Sequence, residues 1–167
     1  MKKIKGKVIK YDQKNINTDL IIPARYLIKS DPDFLAEHCM EDLDSKFKEK
    51  RKEIGANILV ADLNFGCGSS REQAPIALKN SGIECVIAPS FARIFFRNAI
   101  NIGLLIIEFD QISEIQTGNE IDINFEEGLI KNLSTSKTYN INKLPVFLQE
   151  IISAKGLVNF ARNKLLG

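Results

Sequence analysis

Three short apolar runs, residues 57–62 (Asn-Ile-Leu-Val-Ala-Asp), 83–88 and 104–109, are separated by segments of helix length. No other feature constrains the fold as much. A strand with one wet face alternates apolar and polar residues, whereas these runs are apolar almost throughout and need cover on both faces. Strand–helix–strand–helix–strand then implies parallel pairing, because parallel neighbours need crossovers of that length. Ser81-Gly82 ends the first predicted helix near Asn80, and Gly103 ends a second predicted over Phe91–Asn101 with Ser90 as its cap.

The flanking segments add to this unit. Lys3–Lys10 alternates through Ile4 and Val8 and reads as a first strand, and Thr18–Ile22 reads as a short extended piece ended by Pro23. Asp31 and Pro32 open a helix to about Cys39. Residues 44–53 are heavily charged with few apolar anchors and read as a solvated helix. From Asn119 the pattern changes. Ile121, Ile123 and Phe125 alternate, Glu126-Glu127-Gly128 turns, Leu129-Ile130 returns, and 137–141 adds another strand. Pro145 starts a helix carrying Phe147, Leu148, Ile151 and Ile152, and Gly156 interrupts before an amphipathic tail. Without a repeat or a dividing linker, residues 1–167 are expected to form one α/β domain. Its central sheet is mostly parallel, with antiparallel β additions.

In such sheets ligands sit beyond the carboxyl ends of the strands. The loop after Asp62 is in that place and reads Asn64-Phe-Gly-Cys-Gly-Ser-Ser-Arg-Glu-Gln73. Gly66 and Gly68 permit positive φ and close backbone approach. Arg71 offers a planar two-point grip for a carboxylate or phosphate, beside the hydroxyls of Ser69 and Ser70. This set suits acid–base chemistry on a carboxylate substrate. A structural alternative stands beside it: Ser69-x-x-Glu72 and Ser70-x-x-Gln73 both fit a capping box, so either serine can instead start a helix. The loop lacks the gap and the Gly-Lys-Ser/Thr ending of a nucleotide P-loop.

Composition narrows the function classes. Hydrophobic residues at 44% and charged residues at 26% describe an ordinary globule. A net charge of +2 and the lack of an aromatic-studded basic stripe give no support to nucleic-acid binding. The start, Met1-Lys2-Lys3-Ile4-Lys5, does not run into a signal-peptide apolar core, and no apolar run approaches membrane-spanning length. A cytoplasmic location with no membrane association is expected. Cys39, Cys67 and Cys85 are widely spaced without a Cys-x-x-Cys pair, against a disulfide framework or a self-contained zinc or iron–sulfur site. Cys85 reads as a core hydrophobe, and Cys67 as a loop residue that can line a site. His38, the only histidine, reads as surface or packing, so no Ser-His-Asp set is available and a hydrolase is disfavoured.

Four blocks resemble the small subunits of the aconitase superfamily, specifically those of the isopropylmalate dehydratase type. They are Asn15-Ile-Asn-Thr-Asp-Leu-Ile-Ile-Pro23, Tyr26-Leu-Ile-Lys29, the Gly-Ser-Ser-Arg loop, and Ala88-Pro-Ser-Phe-Ala-Arg-Ile-Phe-Phe-Arg-Asn-Ala-Ile-Asn-Ile-Gly-Leu104. The resemblance implies a swivelling β/β/α domain that closes over a 4Fe-4S cluster carried by a separate large dehydratase subunit. This chain would bind no cofactor itself. It implies Ser69 as the base, Arg71 as a carboxylate ligand, Ser70 beside them, and Thr18 and Asp19 as supporting residues. Ile28 falls where relatives acting on homoaconitate offer arginine to an extra carboxylate, so an apolar residue there fits an isopropyl group; Lys29 lies next to it. The implied reaction is isomerisation of 2-isopropylmalate, a small dicarboxylate, to 3-isopropylmalate by dehydration and rehydration in leucine biosynthesis. Citraconate, dimethylmalate and homoaconitate hydratase subunits, and a non-catalytic anion-binding module, remain alternatives. Arg93 and Arg97 share a helix face and could support the site, meet the partner, or face solvent.

Overall fold

Four strands run parallel: β1 (Ile4–Tyr11), from the alternating segment, and β2 (Ala56–Ala61), β3 (Cys85–Ala88) and β4 (Leu105–Glu108), which carry the three apolar runs. β1 also pairs antiparallel, on its other edge, with β5 (Glu120–Asn124). The antiparallel series continues with β6 (Leu129–Asn132) and β7 (Lys137–Asn140), giving a seven-stranded sheet in the order β4-β3-β2-β1-β5-β6-β7. This computed structural model describes residues 3–167; Met1 and Lys2, from the charged start, lie outside the described residues.

Each face of the parallel half has its own core, because successive side chains on a strand point to opposite faces. On β1 and β2, Ile9, Leu59 and Ala61 belong to one cluster, packed with Leu35, Phe47, Leu78 and Phe95 from the helical side. Val8, Ile58 and Val60 belong to the other, packed with Ile112, Ile115, Ile121, Ile123 and Ile130. The antiparallel half of the sheet therefore curls to cover the face that the helices do not. That is how an apolar strand run finds burial on both sides here.

The crossovers from β1 to β2 hold α1 (Thr18–Ile21), α2 (Pro32–Glu37) and α3 (Phe47–Ile54). Those after β2 and β3 hold α4 (Gln73–Asn80) and α5 (Arg93–Asn101), and the chain closes with α6 (Val146–Ser153) and α7 (Leu157–Leu166). Asp31 caps α2 as expected, accepting from Asp33 N. Within the charged segment, α3 begins only at Phe47, which is 2% exposed and inserts into the core. No helix of the described residues is long and apolar enough to cross a membrane.

Two local expectations are corrected. Residues 18–22 do not extend; Thr18–Ile21 forms one helical turn because the Asn17 side chain caps it, accepting from Leu20 N at 2.9 Å. Ser90 does not cap α5. Its hydroxyl accepts from Asn64 N at 2.9 Å and its carbonyl accepts from Phe65 N at 3.1 Å, so the helix begins at Arg93.

Candidate functional site

Three loops leave the carboxyl ends of β1, β2 and β3 and are stitched together by backbone hydrogen bonds. The middle one, after β2, receives Asn15 N on Leu63 O (2.9 Å) and Thr18 N on Cys67 O (2.9 Å), and donates Gly66 N to Ile16 O (2.8 Å). On its other side Ala92 N donates to Phe65 O at 3.0 Å. The loop is held as a short middle strand, which fixes where its next residues point. Phe65, fully buried, anchors it edge-on against Phe95 (5.2 Å between ring centroids) and Phe91 (6.1 Å). Gly66 then passes directly over Phe95 with φ +79°, and a Cβ there would meet Phe95 Cγ at 2.2 Å.

Beyond this anchor the loop forms one wall of an open cleft of about 430 Å³. Gly66, Gly68, Ser69, Ser70 and Arg71 line it together with Thr18, and the start of α5 from Ala92 to Phe95, with Arg97, forms the opposite wall. Both serine hydroxyls are on exposed residues. Neither serine caps α4, whose first residue is Gln73 and whose N-cap, Glu72, makes no side-chain cap bond. Pro75 is the third residue of α4, where an N–H would have no intrahelical partner, so it does not break the helix.

Thr18 is 2% exposed and donates its hydroxyl to Ser69 O at 2.8 Å. This bond sets the backbone that carries Ser69. Thr18→Val keeps the volume and orphans that carbonyl, so a loss of about 1 kcal/mol in unfolding free energy is expected, with Thr18→Ser retaining most of it. Denaturant melts of the three proteins check this, and equal midpoints would remove Thr18 as the support.

Arg71 is largely buried, with 13% of its side chain exposed. Its Nη1 donates to the Asp19 carboxylate and to Ile22 O at 3.2 Å. Both bonds use one terminal nitrogen, so the guanidinium is oriented while its remaining donors are left for a ligand. Thr18, Asp19, Ser69, Ser70 and Arg71 thus come together around one opening. Arg93 and Arg97 join them, which residue spacing alone did not place.

Ile28 is not in that group. It is 83% exposed on a turn after a single 3-10 turn at Ala24–Tyr26, outside the cleft walls. Around it Tyr26 stacks on His38 (3.8 Å) and donates its hydroxyl to Glu41 at 2.6 Å, while Lys29 lies over the Phe34 ring. The Tyr26 hydroxyl, followed by His38, holds the Glu41 carboxyl below its usual range. His38 accordingly has a packing place, with Glu41 at 2.7 Å from Nδ1. Cys67 contributes its carbonyl to the stitching and does not line the cleft.

The thiols do not converge. Cys39 lies in the helix-side core and Cys85 in the opposite one, each fully buried, and burial pushes the Cys39 thiol up to about 12. Among the described residues no three His, Cys, Asp or Glu side chains are placed to hold a metal ion. The described residues therefore offer no ligand set that fits an iron–sulfur cluster. What they offer at the cleft is hydroxyl and guanidinium donors, which suit a small carboxylate.

The chain is similar to proteins of a known family. The aconitase C-terminal domain family matches residues 1–112. The 3-isopropylmalate dehydratase small subunit of Ruminiclostridium cellulolyticum is 57% identical over 162 residues, covering 96% of this chain and 98% of that protein. The small subunit of the same enzyme from Clostridium beijerinckii is 53% identical, covering 96% and 99%. Among solved structures, the 3-isopropylmalate dehydratase of Methanocaldococcus jannaschii superposes with a TM-score of 0.91 at 44% identity, over 99% of this chain and 96% of that one.

Proposed function

The chain belongs to the aconitase C-terminal domain family, among the 3-isopropylmalate dehydratase small subunits, and from this premise we propose that it supplies one half of a two-chain hydro-lyase active site. Its substrate is 2-isopropylmalate, and the product, 3-isopropylmalate, places the reaction in leucine biosynthesis in the cytoplasm. The observation that carries this reading is the convergence of Ser69, Ser70 and the Asp19-oriented Arg71 on one open cleft. All 167 residues act as a swivel-type domain closing on the large subunit.

Dehydration takes a proton from a carbon next to a carboxylate and a hydroxyl from its neighbour; rehydration returns water with the opposite regiochemistry. Ser69 takes the proton. A serine is a poor base at its ordinary acidity, and Arg71 together with oriented N–H donors stabilises the alkoxide once the cleft is closed and dry. Arg71 holds a substrate carboxylate, and Ser70 adds a hydrogen bond beside it. A 4Fe-4S cluster carried by the large subunit supplies Lewis acidity toward the substrate hydroxyl and carboxylate. Ile28 lies out on the surface of this chain, and in the closed pair it meets the isopropyl group, where an unpaired carboxylate would be costly.

A substrate panel on the purified chain, alone and mixed with its large subunit, tests the proposal. The chain alone is expected to turn nothing over. The pair is expected to interconvert 2- and 3-isopropylmalate in preference to hydrating citraconate or homoaconitate, with Ile28→Arg moving that preference toward the tricarboxylate. Turnover by the single chain, or a pair inert toward 2-isopropylmalate, overturns it.

A further inference from the structure

We propose that Arg93 and Arg97 of α5 form a second carboxylate grip in the cleft, holding the carboxylate of the diacid that Arg71 does not. This rests on the dicarboxylate reading above. Both arginines line the same cleft as Ser69, Ser70 and Arg71, from the opposite wall. Residues four apart on a helix are neighbours, with about 5–6 Å between their Cβ atoms, so one carboxylate can reach both guanidinium groups.

Their surroundings leave them without compensation. Both are exposed, and neither makes a hydrogen bond or ion pair among the described residues. Arg25 and Arg71, by contrast, each meet a carboxylate, of Asp42 and Asp19 respectively. Glu108 lines the neighbouring groove with Arg93 and Arg97 yet pairs with neither. Two like charges at this spacing repel, and an anion placed between them turns repulsion into attraction. The nearby wall is apolar, from Ala92, Ile94 and Phe95, so a charge pair formed there is weakly screened once water leaves.

The count of charges supports it. A diacid brings two carboxylates into one cleft, and Arg71 already spends one terminal nitrogen on Asp19 and Ile22 O. One guanidinium grips one carboxylate in its two-point geometry. On this chain, the wall facing Arg71 offers that second carboxylate no side-chain donors except Arg93 and Arg97, the rest of its lining being Ala92, Ile94 and Phe95. Arg93 and Arg97 thereby make the site selective for diacids over the corresponding monoacids.

The test is calorimetric binding to the assembled two-chain complex, which does not depend on turnover. Two probes are compared: 2-isopropylmalate, and 2-hydroxy-3-methylbutanoate, which keeps the hydroxyl, the isopropyl group and one carboxylate. Arg93→Gln and Arg97→Gln are each expected to weaken 2-isopropylmalate binding by about tenfold or more, leaving the monoacid within about twofold. Sedimentation of the same variants is expected to show unchanged subunit association. Diacid affinity that does not fall, an equal fall for both probes, or weakened association with diacid affinity intact in the assembled fraction would each overturn the grip. A wild-type complex that binds the diacid but never turns it over would defeat the dehydratase reading alone, and the variants would still decide the arginines.

Discussion

Ser69→Ala in the assembled enzyme is expected to lower kcat by about 10²–10⁴-fold, the range that one positioned acid–base group contributes. The change removes only the hydroxyl. Ser69 is exposed on this chain, and the bond that fixes its position runs from Thr18 to the Ser69 carbonyl, which alanine keeps. Folding and subunit association should therefore be unaffected, and KM should move far less than kcat because, in the proposed mechanism, Arg71 still holds the carboxylate. Ser70→Ala, which takes away a hydrogen bond and no base, should instead act mainly on KM. Steady-state kinetics on the two variants, with association measured alongside, separates these outcomes. A Ser69→Ala enzyme within about threefold of the wild-type kcat would remove Ser69 as the base.

The second large effect is on the loop itself. Gly66→Ala places a Cβ 2.2 Å from Phe95 Cγ and 2.5 Å from Phe95 Cβ, at a φ of +79°. The left-handed backbone costs about 1–2 kcal/mol for a residue with a Cβ, and overpacking a rigid aromatic adds about 1–3 kcal/mol. Phe95 has little room to withdraw, because Phe65 and Phe91 both pack against its ring and it is 2% exposed. The expected loss is about 2–5 kcal/mol in unfolding free energy, with the serines displaced and activity lost together. Gly118→Ala is the control: its φ is +86° but nothing lies within 4 Å of the added carbon, so only the backbone cost of about 1–2 kcal/mol applies. Urea unfolding of the two variants measures the difference. Equal losses would mean that the Phe95 contact relaxes freely and that the glycine is required for its conformation alone.

Much of the architecture is legible in the sequence. The apolar runs 57–62, 83–88 and 104–109 became β2, β3 and β4, and the alternation from Ile121 to Phe125 became an antiparallel strand, because period and turn residues report local burial directly. Residues 18–22 depart from the extended expectation because Ile21-Ile22-Pro23 has strand-like composition, while the Asn17 cap that decides for one helical turn is a single side-chain bond. Ser90 fits a cap pattern equally well. It was drawn into stitching the second loop to the third, a choice made by chain segments 26 residues apart.

The amino-acid order by itself determined which chemistry is available: two hydroxyls and a guanidinium in consecutive positions, directly after glycines, at the end of a buried strand. Local composition sets this because backbone freedom and donor type belong to individual residues. Only the tertiary structure decided how that chemistry is presented. It took the serines away from helix capping, bonded Ser69 through Thr18 from a distant loop, oriented Arg71 on Asp19, and set Arg93 and Arg97 across the opening. These are contacts between segments far apart in the chain. Their geometry follows from sheet order and core packing, which no window of residues encodes alone.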